Sequence, residues 1–284
     1  MLKHKIAGLL AVLILLISAT GCTNIRFTTG TGKNRFAVCG NYSISVQAAD
    51  ILISERKYSY EDLFNNEIWS RSVGDMTMEE YLLSDIKTLA GNVIYLNMMA
   101  EDMQINLTGD EEERISEYAK DYAEDSGFDK ADVEELLQML LIAEKSFYAM
   151  TEDVDTEVST DEARTISVQY MFFAVNDDVT DRMAENKASE ALQKIEDGTD
   201  FLTLAEEQSD DSIHSMEFYK GIYDKDFETA AYKLETGQVS SVVETEYGYY
   251  IIKCINDNIE SDTAKRKSEI VLKRREELFA DKFR

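Results

Sequence analysis

The chain has 284 residues, 44% hydrophobic and 30% charged, enough for one large domain or two smaller ones with cores of their own. It carries 56 Asp and Glu against 29 Lys and Arg, a formal net charge of -27. Such a surface repels phosphate backbones and anionic headgroups, which excludes nucleic acid as a partner. Proline is absent, so no helix interior is interrupted by that residue.

Residues 1–21 read as a leader. MLKHK supplies positive charge, IAGLLAVLILLI an apolar run short for a bilayer span, and SATG a small-residue ending. The run stops at Cys22. Small residues followed by cysteine resemble the lipobox of bacterial lipoproteins, in which the cysteine is diacylated after cleavage; an ordinary signal peptide or a short anchor is the alternative. The resemblance implies a lipid-anchored protein on the outer face of the cytoplasmic membrane, or at an outer membrane in a diderm host. Residues 22–35 are polar, with Gly and Thr, and read as the lipidated cysteine and a tether.

Residues 36–150 read as a helical domain. FAVCGNYSIS is a strand and turn, followed from about Val46 by a helix with Ala48, Ile51 and Leu52 on its apolar stripe. TMEEYLLSDIKTLAGNVIYLNMMAEDM (77–103) repeats apolar residues at steps of three and four through Tyr81, Leu82, Ile86, Leu89, Val93, Leu96 and Met99. A further helix starts at a capping box of Thr108 and Glu111 and stops at Gly127. DKADVEELLQMLLIAEKSFYAM is a third, with Asp129 or Asp132 near its start. Met98, Met99, Met103, Met139 and Met150 are read as core filling, against a plastic Met-lined cradle as the functional alternative.

The acidic stretch 151–164 reads as a linker. Within 165–257, TISVQYMFFAV is a strand and DRMAENKASEALQKIEDG a helix with Met183, Ala188, Ala191, Leu192 and Ile195 on its apolar face. TDFLTLAEEQS and DFETAAYKL are shorter helices, and VSSVVETEYGYYIIKCI is a pair of strands about a turn at Glu246–Gly248. The resulting β-α-α-α-β-β order describes a small α+β domain. Residues 258–284 form a basic-rich helix whose Ile270, Leu272, Leu278 and Phe279 need a partner surface; the N-terminal helices are the expected one. Cys39 and Cys254 read as small buried residues, and their spacing carries no pairing information.

GTDFLTLAEEQSDDS, FYKGIYDKDFETAAYKLETGQVSSVV and ETEYGYYIIK, in that order, resemble the parvulin family of peptidyl-prolyl isomerases. EIWSRSVGDMTMEEYL and the Thr108 helix are similar to the N-terminal chaperone module of PrsA-like and SurA-like extracytoplasmic foldases. The resemblance implies an FKBP-like parvulin domain inserted between the N-terminal lobe and its returning C-terminal helix. It implies as partners unfolded exported proteins with X–Pro segments. Parvulins lower a rotation barrier of ~18–20 kcal/mol without a covalent step, holding the proline ring in an apolar pocket and favouring the twisted amide.

Carried over by position, the family's aspartate falls on Asp211, its supporting threonine on Thr245 and its pocket phenylalanine on Phe227. The two histidines fall on Tyr170 and Tyr250, and the pocket methionine on Tyr223. The implied catalytic set is thus Tyr170, Asp211, Thr245 and Tyr250, and the substrate-binding set Tyr223, Phe227 and Phe218. A GGDLG segment is replaced by IHSME, and His214 stands in that altered loop. With both histidines and the methionine replaced, the expectation is a chaperone with weak or absent isomerase activity. Two alternatives stay open: an active isomerase using the tyrosines, and a scaffold for one specific partner. No HExxH, CxxC, GxSxG or P-loop pattern is present, so neither a metal nor a cofactor is expected.

Overall fold

The computed structural model describes residues 26–27 and 34–282, so the leader and Cys22 lie outside the described residues. The chain divides into two compact units. The first holds the N-terminal segment to Val154 together with residues from Arg274 onward, and the second is Asp155–Lys273.

In the first unit, β1 (Arg26–Phe27), β2 (Arg35–Cys39) and β3 (Tyr42–Ser45) form an antiparallel sheet with β2 central. Ser45 ends the strand and caps α1 (Val46–Phe64) by accepting from the Ala48 amide at 3.0 Å. A 3-10 turn (Asn66–Ser70) and a two-stranded ribbon, β4 (Ser72–Val73) with β5 (Met76–Thr77), lead into α2 (Met78–Asp102). The helix then begins with a reciprocal capping box between Thr77 and Glu80. The periodic residues Leu82, Ile86, Leu89, Val93 and Leu96 are all buried, as the 3.6-residue repeat requires of a helix covered on one face.

The next helix, α3 (Gly109–Ser126), has the expected box: Thr108 accepts from the Glu111 amide and Glu111 from the Thr108 amide. It stops where Gly127 takes the left-handed conformation at φ +81. Asp129 caps α4 (Lys130–Met150). One buried polar group ties α2 to α4: the Asn97 amide donates to the carbonyls of Val93 and Met139 at 2.8 and 2.9 Å. The methionines sit at the margins of this core, with Met98, Met99, Met139 and Met150 half-buried and Met103 exposed.

The second unit starts with a short helix, α5 (Thr160–Ala163), inside the stretch expected to be linker. After it come β6 (Thr165–Ala174), α6 (Asp181–Glu196), α7 (Phe201–Gln208), β7 (Ser215–Tyr219), α8 (Lys225–Ala231), β8 (Val243–Thr245) and β9 (Gly248–Asn256). The strands form one antiparallel sheet in the order β7-β6-β9-β8.

Here the expected β-α-α-α-β-β order needs a correction: SMEFY is a fourth strand between the second and third helices. It is five residues long and pairs only with β6, and an edge strand that short has too few residues to display an alternation. On α6, Met183 is 47% exposed and Ala184 takes the buried place assigned to it. Sheet alternation separates two cores. Met171, Phe173, Tyr249 and Ile251 face α6 and α7, whereas Val168, Tyr170, Ile252 and Phe218 face α8.

Gly248, which opens β9, has φ +140, and a Cβ there would stand 2.2 Å from the Phe173 carbonyl oxygen. Only glycine lets the β8–β9 turn approach β6 so closely. Cys39 and Cys254 are both buried free thiols.

The last helix, α9 (Glu260–Lys282), was expected to belong wholly to the N-terminal lobe, but its residues as far as Lys273 group with the second unit. The reason is local bonding. Thr263 accepts from the Thr165 amide at 3.0 Å, and the Arg266 guanidinium lies 3.7 Å from the Tyr219 ring centroid. Beyond Arg274 the helix serves the first unit. Phe279 is 2% exposed and meets Phe147 edge-on at 5.5 Å, and Arg275 donates to the Thr151 carbonyl at 2.6 Å.

Two stability predictions follow from these contacts. Trp69, the single tryptophan, lies in the first unit and reports its unfolding. Phe279→Ala should cost about 3–5 kcal/mol in urea titrations followed by Trp69 fluorescence, as expected for truncating a fully buried ring; a loss below about 1 kcal/mol would show that the C-terminal turn is dispensable. Glu111 is held at about 2, well below its usual 4.5, by the Lys145 ammonium at 2.8 Å and the Thr108 amide. A lowered carboxylate contributes stability that is full above 4.5 and lost as pH falls toward about 2. The deficit of Glu111→Gln should therefore fade over that window, and a pH-independent deficit would refute the pairing.

Candidate functional site

The site is built on the outer edge of β6. The edge strand β7 pairs with β6 from Thr165 to Gln169 and then ends. Beyond that point the β6 amides need other acceptors, because unpaired buried amides are costly. The Tyr170 amide donates to the His214 carbonyl at 3.0 Å. Ser209 Oγ accepts from the Phe172 amide at 3.0 Å, Asp210 Oδ2 accepts from the Ala174 amide at 2.9 Å, and the Asp210 amide returns a bond to the Phe172 carbonyl at 2.8 Å. The loop after α7 is thereby laced to the strand. Its next residue, Asp211, is delivered to the Tyr170 hydroxyl, which donates to Asp211 Oδ2 at 2.7 Å.

This pair has a defined protonation state. Burial, then the bond to Asp211, pushes the Tyr170 phenol up. Burial alone would push Asp211 up too, but it is overcome by the bonds from Tyr170 and from the Ile213 and Ser212 amides, so the carboxyl lies below its usual range. The result is a neutral phenol donating to a carboxylate at neutral pH.

Around Tyr170 the side chains are aromatic. Tyr170 and Tyr250 are diagonal neighbours on one sheet face, since Tyr170 pairs with Ile252 and Phe172 with Tyr250, and their ring centroids lie 6.0 Å apart. Phe227 is the hub. Its ring meets those of Tyr250 (5.0 Å), Phe218 (5.8 Å), Tyr170 (6.1 Å) and Tyr223 (6.1 Å), and only 3% of the residue is exposed. Each such pair adds about 0.5–1.5 kcal/mol beyond area burial. Asp224 sets the hub by accepting from the Asp226 and Phe227 amides at the start of α8.

The accessible face is made by Tyr250, which is half-buried, and Tyr223, 44% exposed. Ile213, Ile222 and Tyr247 are also exposed in the neighbouring loops. Phe218, placed in the substrate-binding set, is 2% exposed, so a ligand meets it only through Tyr223, whose ring abuts it at 5.1 Å. Thr245 serves its own turn: its hydroxyl donates to the Gly248 carbonyl at 2.9 Å and accepts from the Tyr247 amide. The Tyr250 phenol is pushed up by burial, then by Asp211 and Asp224.

Three contributors, Phe172, Ser209 and Glu228, were not singled out from the sequence, and His214 was noted only as standing in an altered loop. Phe172 stacks on Tyr250 at 4.6 Å, and its place two residues after Tyr170 on a strand could have revealed it. Ser209 latches the loop. Glu228 accepts from the Gly221, Ile222 and Tyr223 amides at 2.8–2.9 Å, fixing the turn that presents Tyr223. His214 has a buried Nδ1 with no partner beside this cluster. For Ser209 and Glu228 no sequence signal exists, because each acts through contacts formed only on folding. Among the described residues, no group of three His, Cys, Asp or Glu is arranged to hold a metal ion.

Removing the Tyr170 hydroxyl should release Asp211. Tyr170→Phe is expected to cost about 1–2 kcal/mol at neutral pH, the range for a partly solvated bond to a charged group. Because the Asp211 carboxyl is lowered, that contribution is complete above the usual aspartate range and disappears as pH falls below it. Near-UV circular dichroism in urea at pH 7 and pH 3 reads this, and an equal deficit at both would contradict it.

Residues 170–256 match the PPIC-type PPIase (rotamase) domain family. The foldase protein PrsA of Clostridium acetobutylicum is 26% identical over 284 aligned residues, covering 88% of this chain and 83% of that protein. Foldase protein PrsA 3 of Bacillus anthracis is 44% identical over 75 residues, 24% of this chain and 26% of its own length. A crystal structure of the peptidylprolyl isomerase PrsA from Bacillus cereus aligns with TM-score 0.39 at 22% identity, covering 88% of this chain and 90% of that one. Residues 170–256 of the second unit thus match a parvulin-type PPIase domain, and the chain is similar to foldase protein PrsA over most of its length.

Proposed function

We propose that the protein is a membrane-anchored extracytoplasmic foldase that holds unfolded exported chains on its parvulin-type domain, with weak or lost prolyl isomerase activity. The observation that carries this reading is the filled pocket. Phe227, the residue on which the family's proline pocket falls, is 3% exposed beneath Tyr223 and Tyr250. A proline ring can reach it only by displacing those rings, which subtracts from the binding energy available to a twisted amide. What the domain offers instead is an aromatic surface, Tyr223 and Tyr250, suited to extended apolar segments. Cys22, ahead of the first described residue, would carry the lipid; two acyl chains suffice for stable anchoring.

One observation favours the catalytic alternative. The Tyr170–Asp211 bond joins one of the two positions on which the family's histidines fall to the position on which its aspartate falls, so a hydrogen-bonded link persists beneath the pocket.

NMR exchange spectroscopy on a short acetylated X–Pro peptide, with and without residues 23–284, separates the two. Cis/trans exchange should stay at background while peptide resonances shift saturably, and Tyr223→Ala should weaken that binding several-fold. Exchange well above background, abolished in Phe227→Ala, would overturn the proposal in favour of an active isomerase. Anchoring is read separately, by fatty-acid labelling that should vanish in Cys22→Ser.

A further inference from the structure

The first unit holds a cleft of about 300 Å³ between α1 and α3, lined by aromatic rings and carboxylates. Tyr118 and Tyr122 stand four residues apart on one face of α3, their rings near parallel at 20° with centroids 6.5 Å apart. Phe128, just past Gly127, continues the series at 6.5 Å and 10° from Tyr122. Across the cleft α1 contributes Tyr58, 44% exposed, and Glu55. The Tyr122 hydroxyl donates to Glu55 Oε1 at 2.6 Å, which fixes that carboxylate against the rings; Asp125 lines the same cleft.

The electrostatics are one-sided. Among the described residues neither Glu55 nor Asp125 forms a salt bridge, and three of the cations close in sequence to the lining residues are engaged elsewhere. Arg56 pairs with Asp85 at 2.8 Å, Lys57 lies 3.8 Å from Glu61, and Lys130 lies 3.5 Å from Glu134. A chain of net charge -27 has few spare cations to fill such a space. At about 300 Å³ the cleft lies at the small end of the range for ligand pockets and has room for one long side chain.

We propose that this cleft binds the guanidinium of an arginine side chain in a bound polypeptide. Aromatic faces attract a weakly hydrated planar cation, and the two carboxylates supply opposite charge at the rim. Lysine fits the charge but is more strongly hydrated, so arginine is preferred. That the arginine belongs to an unfolded client rests on the foldase reading above, whereas the site itself does not. Such a site would select basic segments, as the net negative charge already favours, and would do so through residues of the first unit.

The test is a titration of the isotope-labelled chain, residues 23–284, with acetyl-Gly-Arg-Gly-amide and with the neutral acetyl-Gly-Gln-Gly-amide. The arginine peptide should shift the amides of Tyr118, Tyr122 and Asp125 saturably, with a dissociation constant on the order of millimolar. Tyr118→Leu and Asp125→Asn, both outside the buried core, should each weaken binding at least several-fold, and raised salt should do the same. An equal response to the glutamine peptide, no saturable shift at these amides, or unchanged affinity in both variants would overturn the proposal. Neither peptide contains proline and the readout lies on α3, so failure here would leave the parvulin-type reading untouched; conversely, the X–Pro titration is read at Tyr223.

Discussion

The geometry of the parvulin-type domain depends on a backbone constraint at the edge of strand Thr165–Ala174. Its neighbour, Ser215–Tyr219, is half as long, and the amides of Tyr170, Phe172 and Ala174 are left facing outward. His214, Ser209 and Asp210 supply the missing acceptors. Satisfying those amides brings the 209–214 loop alongside the strand and places Asp211 under the Tyr170 hydroxyl. The candidate site is in this sense a consequence of hydrogen-bond accounting at a sheet edge.

The side chains on that edge then decide what the site can do. Tyrosines stand where the family resemblance implies imidazoles, and their environment raises the Tyr170 and Tyr250 phenols, so neither approaches ionisation at neutral pH. The pair with Asp211 is a fixed donor and acceptor. Rotation about an X–Pro bond requires no proton transfer, so this alone does not forbid catalysis. Access matters more. Four rings enclose Phe227, and the cohesion that makes the cluster stable is the same cohesion that a proline ring would have to displace.

The helical unit works by different means. Capping boxes at Thr77 and Thr108 satisfy orphan amides at two helix starts, and Glu111 does double duty by also holding Lys145 on the adjacent helix. Between α1 and α3 the packing leaves an acidic, ring-lined cleft. The two units therefore offer different aromatic surfaces, Tyr223 and Tyr250 in one, and Tyr118 and Tyr122 beside Glu55 and Asp125 in the other.

Much of the architecture was legible in the chain because it depends on local chemistry. The Thr108–Glu111 box, the Gly127 stop, the long stripe from Leu82 to Leu96 and the strand at TISVQYMFFAV act within a few residues of themselves, and the structure has each of them. The positions of Tyr170, Asp211, Phe227 and Tyr250 were likewise available from the family resemblance, and the fold brings them together. Four things were not available: the strand at SMEFY, the exposure of Met183, the division of the last helix at Lys273, and the enclosure of Phe227. Each depends on groups far apart in sequence, such as Thr263 with Thr165, or Tyr223 with Phe218 and Phe227. The sequence by itself determined the long helices with their caps and the strands at 165–174 and 243–256, because helix period, capping and turn chemistry are short-range. Only the tertiary structure decided whether the pocket stands open or filled, because that depends on which side chains occupy the same space once the sheet edge has captured its loop.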